Sequence, residues 1–248
     1  MIKKIYTPCK GCSYEWVVDQ TIYYMKKYHD FDIIKTYFKP ANFYVGECDV
    51  ASSGTVWCDR PGKGNIIFID NRKIITTSTW LKEYMEKNGI KVEQVTPFGV
   101  NDEMAQKHVN FDFNARRGYI VIDKNVPYNI LKIFEGKRKQ LILISENPNA
   151  DFNILSLNED LKYYLLSHSL FYIAINNDIY PIEAMSVGTP LIYMGKHSEC
   201  GIEIENMEDL RKIEINKEEW EDLSWKCWHK SLRYHYITIG QELWEWLK

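Results

Sequence analysis

No apolar run in this 248-residue chain reaches the ~18 residues that a membrane-crossing helix needs. The apolar part of the opening Met1-Ile-Lys-Lys-Ile-Tyr6 is too short for a secretory signal. Both absences predict a soluble, cytoplasmic protein. An excess of charge of one sign is lacking too: Lys and Arg number 31 against 34 Asp and Glu, for a net charge of −3. No global field therefore draws the chain to nucleic acid or to a membrane. Internal repeats and low-complexity segments are absent. The histidines (His29, His108, His168, His197, His229 and His235) show no metal-ligand spacing. Cys9-Lys-Gly-Cys12 has the spacing of half a zinc site or of a redox pair, but no second pair matches it. Cys48 and Cys58 are wrongly spaced for a compact knuckle. The six cysteines are expected mainly as structural or unpaired thiols, with zinc and a disulfide as the rival readings. An intracellular disulfide is unusual outside a hyperthermophile.

What is present is ordinary globular composition, with 45% hydrophobic residues. The length suits one large domain or two small ones. Charge is unevenly placed. Residues 107–139 hold eight basic and three acidic residues, a net of +5, whereas 199–222 hold three basic and ten acidic, a net of −7. The basic segment suits a multiply charged anion; the plainer reading is two solvated faces. Five of the eight tryptophans fall in 220–246. Packing explains such a tail, and a membrane-interface contact is the rival, because aromatic side chains sit well at headgroup level.

Strand and helix patterns alternate, which predicts α/β layers. Strands are expected at Ile2–Tyr6, Asp32–Tyr37, Ile66–Ile69, Lys73–Thr77, Val92–Val95, Tyr119–Ile122, Leu141–Ile144, Leu170–Ile175 and Leu191–Met194. Ser13 is a plausible cap for a helix over 14–28. Ser78 or Thr79 caps another to about Asn88, and Asn158 a third with acids in its first turn. Residues 39–65 read as irregular. Thr96-Pro-Phe-Gly-Val-Asn101 breaks the pattern and marks a domain boundary.

The most informative stretch is Pro181-Ile-Glu-Ala-Met-Ser-Val-Gly-Thr-Pro190, followed by Leu191–Met194. It reads as a short helix with Glu183 near its start, a stop at Gly188, and a strand. A helix start offers N–H groups to phosphate. A carboxylate there opposes phosphate unless it is aimed at sugar hydroxyls, so the pair predicts a nucleotide site.

This block resembles the Glu-Ala-Met…Gly-Thr-Pro segment of the large group of retaining GT-B glycosyltransferases that includes glycogen-synthase-like and mannosyl-transferring enzymes. Ile75–Ser78 with Val95-Thr-Pro-Phe-Gly-Val-Asn101 is similar to the interdomain stretch of that family, with Phe98 in place of Asn and Asn101 in place of Asp. The likeness covers about residues 70–202. It implies two Rossmann-like domains facing across a cleft: an acceptor domain over 1–98, a nucleotide-sugar domain over 99–232, and a helix over 233–248 returning to the first. It also implies metal-free transfer, with retained configuration, of a sugar from a nucleotide-diphosphate donor to an unknown glycan, lipid or protein acceptor. No cofactor is expected beyond that co-substrate.

By the same resemblance Glu183 holds the ribose, and the backbone of Tyr180, Pro181 and Ile182 cradles the diphosphate. The family's first glutamate would fall at Ile175, so Asp178 is expected to contact the donor sugar. The family's phosphate-binding Arg is replaced in Val121-Ile-Asp-Lys-Asn125, leaving Lys124, or Arg116 and Arg117, for the diphosphate. Lys35 or Ser52 stands where a first-domain histidine is usual. Gly99 and Asn101 are placed at the acceptor side of the site. The rival readings are a catalytically weakened nucleotide- or sugar-binding subunit, and a zinc or redox protein built on Cys9 and Cys12.

Overall fold

Short β-branched and aromatic runs, each closed by a turn, pair in parallel to form two six-stranded sheets. The structure, a computed structural model, describes residues 3–28, 32–51, 53–62, 72–123, 126–135, 140–175, 179–194 and 200–247. The chain divides into two compact units, one of residues 1–99 with 234–248 and one of 100–233.

In the first unit, β1 (Lys3–Tyr6) leads to α1 (Ser13–Tyr28), followed by β2 (Ile33–Thr36), β3 (Phe43–Gly46), β4 (Gly54–Cys58), β5 (Arg72–Thr76), α2 (Thr79–Lys87) and β6 (Gln94–Val95). The sheet order is β2-β1-β3-β4-β5-β6. Ser78 caps α2 by accepting the Leu81 N–H at 3.2 Å. The core gathers Ile5, Val18, Met25, Val45, Trp57 and Ile75. The expectation of irregular chain over 39–65 is corrected, because β3 and β4 both lie there. They are short, and Pro40, Gly46 and Gly54 break up the pattern around them. Yet both are central in the sheet, and all four residues of β3 are buried. The strand expected at 66–69 lies outside the described residues.

The second unit contains α3 (Asp102–His108), β7 (Arg117–Ile122), α4 (Tyr128–Ile133), β8 (Leu141–Ser145), β9 (Phe152–Asn153), α5 (Glu159–His168), β10 (Ser169–Ala174), α6 (Tyr180–Ser186), β11 (Leu191–Met194), β12 (Ile202–Ile204) and α7 (Lys217–Ser231). Its sheet order is β12-β11-β10-β7-β8-β9. Numbered within the unit this is the doubly wound order of dinucleotide-binding folds, whose switch point lies between the first and fourth strands, here β7 and β10. Val121, Leu143, Phe171, Ile173, Ile192 and Trp220 fill its core.

The aromatic tail divides between the units. Trp220 is fully buried in the second, while α8 (Tyr236–Leu247) packs Trp244 and Trp246 against the first. Trp225 is half exposed and stacks on Phe111 at 4.3 Å.

The cysteines overturn the expectation of free thiols. They pair as Cys9–Cys12, Cys48–Cys58 and Cys200–Cys227, with Cα separations of 5.9, 5.1 and 5.3 Å, inside the disulfide range. All six are used, so the zinc reading loses its ligands. Cys48 lies just past the carboxyl end of β3 and Cys58 at the carboxyl end of the parallel neighbour β4, so the two are close in space although not at ligand spacing in sequence.

Candidate functional site

Ligands of open α/β sheets bind beyond the carboxyl ends of the strands at the switch point. In the second unit that place lies past Ile122 of β7 and Ala174 of β10. The next helix in the chain after β10 is α6, whose fourth residue is Glu183. Glu183 is only 1% exposed. Lys162 Nζ donates to its Oε1 at 2.8 Å, and the Tyr163 hydroxyl approaches the same oxygen at 3.4 Å. Oε2 is buried and has no hydrogen-bond partner among the described residues. Burial pushes the Glu183 carboxyl above the usual range, and the Lys162 charge opposes that rise.

α5 supplies both partners. Asn158 caps it by accepting the Leu161 N–H at 2.8 Å, which fixes Glu159 in its first turn. One turn on, Lys162 reaches back to Glu159 Oε1 at 2.6 Å and across to Glu183, so one ammonium bridges two acids. Asn101 joins the same cluster. Its side chain caps α3 by accepting the Met104 N–H, and its own N–H donates to the Tyr163 oxygen at 3.1 Å. The Tyr163 proton is thereby left to face Glu183. Sequence reasoning named Glu183 and Asn101 and missed Lys162 and Tyr163. The signal was the helical spacing Glu159–Lys162, one turn past the Asn158 cap.

The other expected residues fare differently. Lys124 and Asp178 lie outside the described residues. At the start of α6, Pro181 has no N–H, and the Ile182 and Glu183 N–H groups both run to the Ile179 carbonyl, at 2.9 and 3.0 Å. The Tyr180 ring lies 5.6 Å from Lys162 Nζ. That start offers an anion fewer donors than the sequence reading supposed.

Arg116 and Arg117 are corrected as diphosphate ligands. They stand at the amino end of β7, the opposite end from the switch point. Arg116 is 2% exposed and lies over the Trp220 ring at 4.8 Å. It donates to the carbonyls of Ser169 and Val187 at 2.8 Å each, to Asn110, and to the Thr189 hydroxyl at 2.5 Å. Burial pushes its pKa down to about 9. Arg117 folds back on the carbonyls of Asn114 and Arg116. Gly99 has a packing reason to be glycine: a Cβ there would meet the Tyr236 ring at 2.8 Å. His108 pairs with Asp160 at 2.8 Å through Nε2.

Two parallel sheets in two units, the second doubly wound with an acid-bearing helix at its switch point, define the GT-B class of glycosyltransferase fold. Solved structures agree at the level of fold. Anabaena Alr3699/HepE, solved with UDP and glucose, matches with a TM-score of 0.66 at 10% identity, covering 99% of each chain. S. aureus MnaA with UDP matches with a TM-score of 0.55 at 12% identity, covering 98% of this chain and 95% of that one. An α1,3-fucosyltransferase with GDP-fucose matches with a TM-score of 0.51 at 12% identity, over 97% of this chain and 90% of that one.

Sequence comparison then gives the particular family. "Putative glycosyltransferase 63" of Sulfolobus islandicus filamentous virus (isolate Iceland/Hveragerdi) is 65% identical over 266 residues, covering 100% of this chain and 99% of that protein. "Putative glycosyltransferase 41" of the same virus is 27% identical over 278 residues, covering 98% of this chain and 78% of that protein. The chain belongs to this glycosyltransferase family. No family model matches it. Among the described residues no helix is long and apolar enough to cross a membrane.

Proposed function

We propose that the second unit binds a nucleotide-diphosphate sugar at the β7/β10 switch point and that the chain transfers its sugar to an acceptor. The observation that carries this reading is Glu183: a buried carboxylate in the first turn of α6, with one oxygen tied to Lys162 and the other without a hydrogen-bond partner among the described residues. A ribose hydroxyl is the kind of donor such an oxygen lacks. The three fold neighbours named above were solved with UDP or GDP-fucose, which supports a nucleotide diphosphate as the ligand class.

In this reading Asp178 orients the donor sugar and Lys124 meets the diphosphate. The backbone at Tyr180–Ile182 lies alongside. The bond from the anomeric carbon to the diphosphate oxygen breaks. A bond to the acceptor oxygen forms on the same face, and the acceptor proton passes to the departing phosphate. Stabilising the charge that grows on that leaving group is the main electrostatic task. Lys124 supplies it without a metal. Gly99 and Asn101 keep structural roles, and the acceptor is recognised by other residues.

The test is a panel of nucleotide-sugars. Binding to the folded state raises the melting temperature, and turnover with water or an acceptor releases free nucleotide. The proposal expects one nucleotide class to do both. A shift without nucleotide release would turn the reading into a binding subunit. No shift with any donor would end it.

A further inference from the structure

Lys162 is 9% exposed, and no step of the transfer uses it. We propose that Lys162 is the positioning residue of the donor site: by tying Oε1 of Glu183 it fixes the carboxylate with Oε2 left unpaired for a ribose hydroxyl. This rests on the donor-site reading given above.

The geometry sets the division of labour within the carboxylate. Among the described residues two donors converge on Oε1, Lys162 Nζ at 2.8 Å and the Tyr163 hydroxyl at 3.4 Å, and none on Oε2. A second acid, Glu159 at 2.6 Å, holds the ammonium from the other side. The rings of Tyr163 and Tyr180 lie 5.4 and 5.6 Å from Nζ. Lys162 is thereby held from several directions, and so is the rotation of the carboxylate it grips. A buried oxygen with no donor is costly in the empty protein, and a ligand hydroxyl removes that cost on binding. Because Oε2 is buried, the ribose reaches it only when the side chains over it turn aside.

The protonation state follows from the same contacts. An ionised carboxylate accepts hydrogen bonds at both oxygens, whereas the neutral acid spends one oxygen on its own proton. Burial and the Glu159 charge both favour the neutral acid at Glu183, and Lys162 opposes them. The groups that act on Glu183 from α5 are Glu159, Lys162 and Tyr163. From α7, on another side of α6, the Ser224 hydroxyl donates to the Gly188 carbonyl. From β10, the Tyr172 hydroxyl donates to the Ile122 carbonyl. Neither of these carries charge at neutral pH. Removing Lys162 therefore takes away the charge that opposes the rise and shifts Glu183 further towards the neutral acid, which ionises as the pH rises.

The experiment is calorimetric binding of UDP-glucose and GDP-fucose, whose phosphates do not titrate near neutral pH, from about pH 6 to about pH 9. Wild-type affinity is expected to be flat across that range. Lys162→Met is expected to bind about tenfold more weakly at neutral pH and to recover as the pH rises. Lys162→Arg restores both the affinity and the flat profile. The double variant Lys162→Met/Glu183→Gln is weak and flat. A purely structural lysine would lower the melting temperature of Lys162→Met while leaving its affinity and pH profile as in the wild type, and that result overturns the proposal. The wild-type protein gives a readout that needs no variant. Binding at neutral pH exchanges no proton, as measured from heats in buffers of different ionisation enthalpy; net proton release or uptake overturns the proposal. If neither donor nor any other nucleotide-sugar binds the wild type, the donor-site reading itself has failed, which is a different result.

Discussion

Lys162 on α5 and Glu183 on α6 meet at 2.8 Å, both almost wholly buried, 21 residues apart in the chain. Unpaired, either charge would be strongly unfavourable there. Together they anchor the helix that follows the switch-point strand, and they hold a conspicuous acid of the sequence in one fixed place.

Arg116 belongs to the scaffold. Replacing it with Met removes hydrogen bonds to several carbonyls and leaves those acceptors buried. The expected loss is on the order of 3 kcal/mol, given about 1.5–3 kcal/mol per hydrogen bond to a charged group and some relaxation. Urea unfolding reads the loss. Calorimetry on the folded variant should return wild-type donor affinity, and a selective fall in affinity with unchanged stability would return Arg116 to the ligand set.

The disulfides differ in exposure. Cys48, Cys58 and Cys227 are fully buried and Cys200 is 7% exposed, whereas Cys9 and Cys12 are only partly buried. Under mild reduction of the folded protein, alkylation and mass spectrometry should label Cys9 and Cys12 first. Replacing Cys200 and Cys227 together with Ser should cost about 3 kcal/mol, because that bridge closes the longest of the three loops. Free thiols at 200 and 227 in the untreated protein would contradict the pairing.

Glu15 at the start of α1 should make the first unit acid-sensitive. Lys35 at 2.7 Å, the Tyr37 hydroxyl and the Gly11 N–H hold its carboxyl down at about 2, below the ordinary 4.5. The unfolded chain therefore takes up this proton first. The contribution is complete above about pH 4.5 and is lost as the pH falls towards about 2. Melting temperatures over that window should fall less steeply for Glu15→Gln than for wild type. Parallel curves would remove Glu15 from the account.

Much of this was legible beforehand. The buried strands β7, β8, β10 and β11 show continuous apolar runs, and the Ser78 and Asn158 caps carry their usual side-chain chemistry. An acid in a first helical turn is ordinary by itself, and Glu183 stood out because of the Pro181–Pro190 block around it, which resembles the retaining GT-B family. β3 and β4 were hidden because strands of four or five residues between glycines carry too little pattern to separate them from loop. Lys162 and Tyr163 were invisible as site residues because their partner lies on another element, and only the packing of α5 on α6 brings them to it. Arg116 misled because a basic residue next to a strand looks the same at either end of it.

The central claim is that Glu183 faces the ribose of a nucleotide-sugar. Titrating wild type and Glu183→Ala with the donor that stabilises the wild type tests it directly. The account predicts that the variant, still folded by circular dichroism, binds more weakly by about 1–3 kcal/mol. Equal affinities for the two proteins would contradict it.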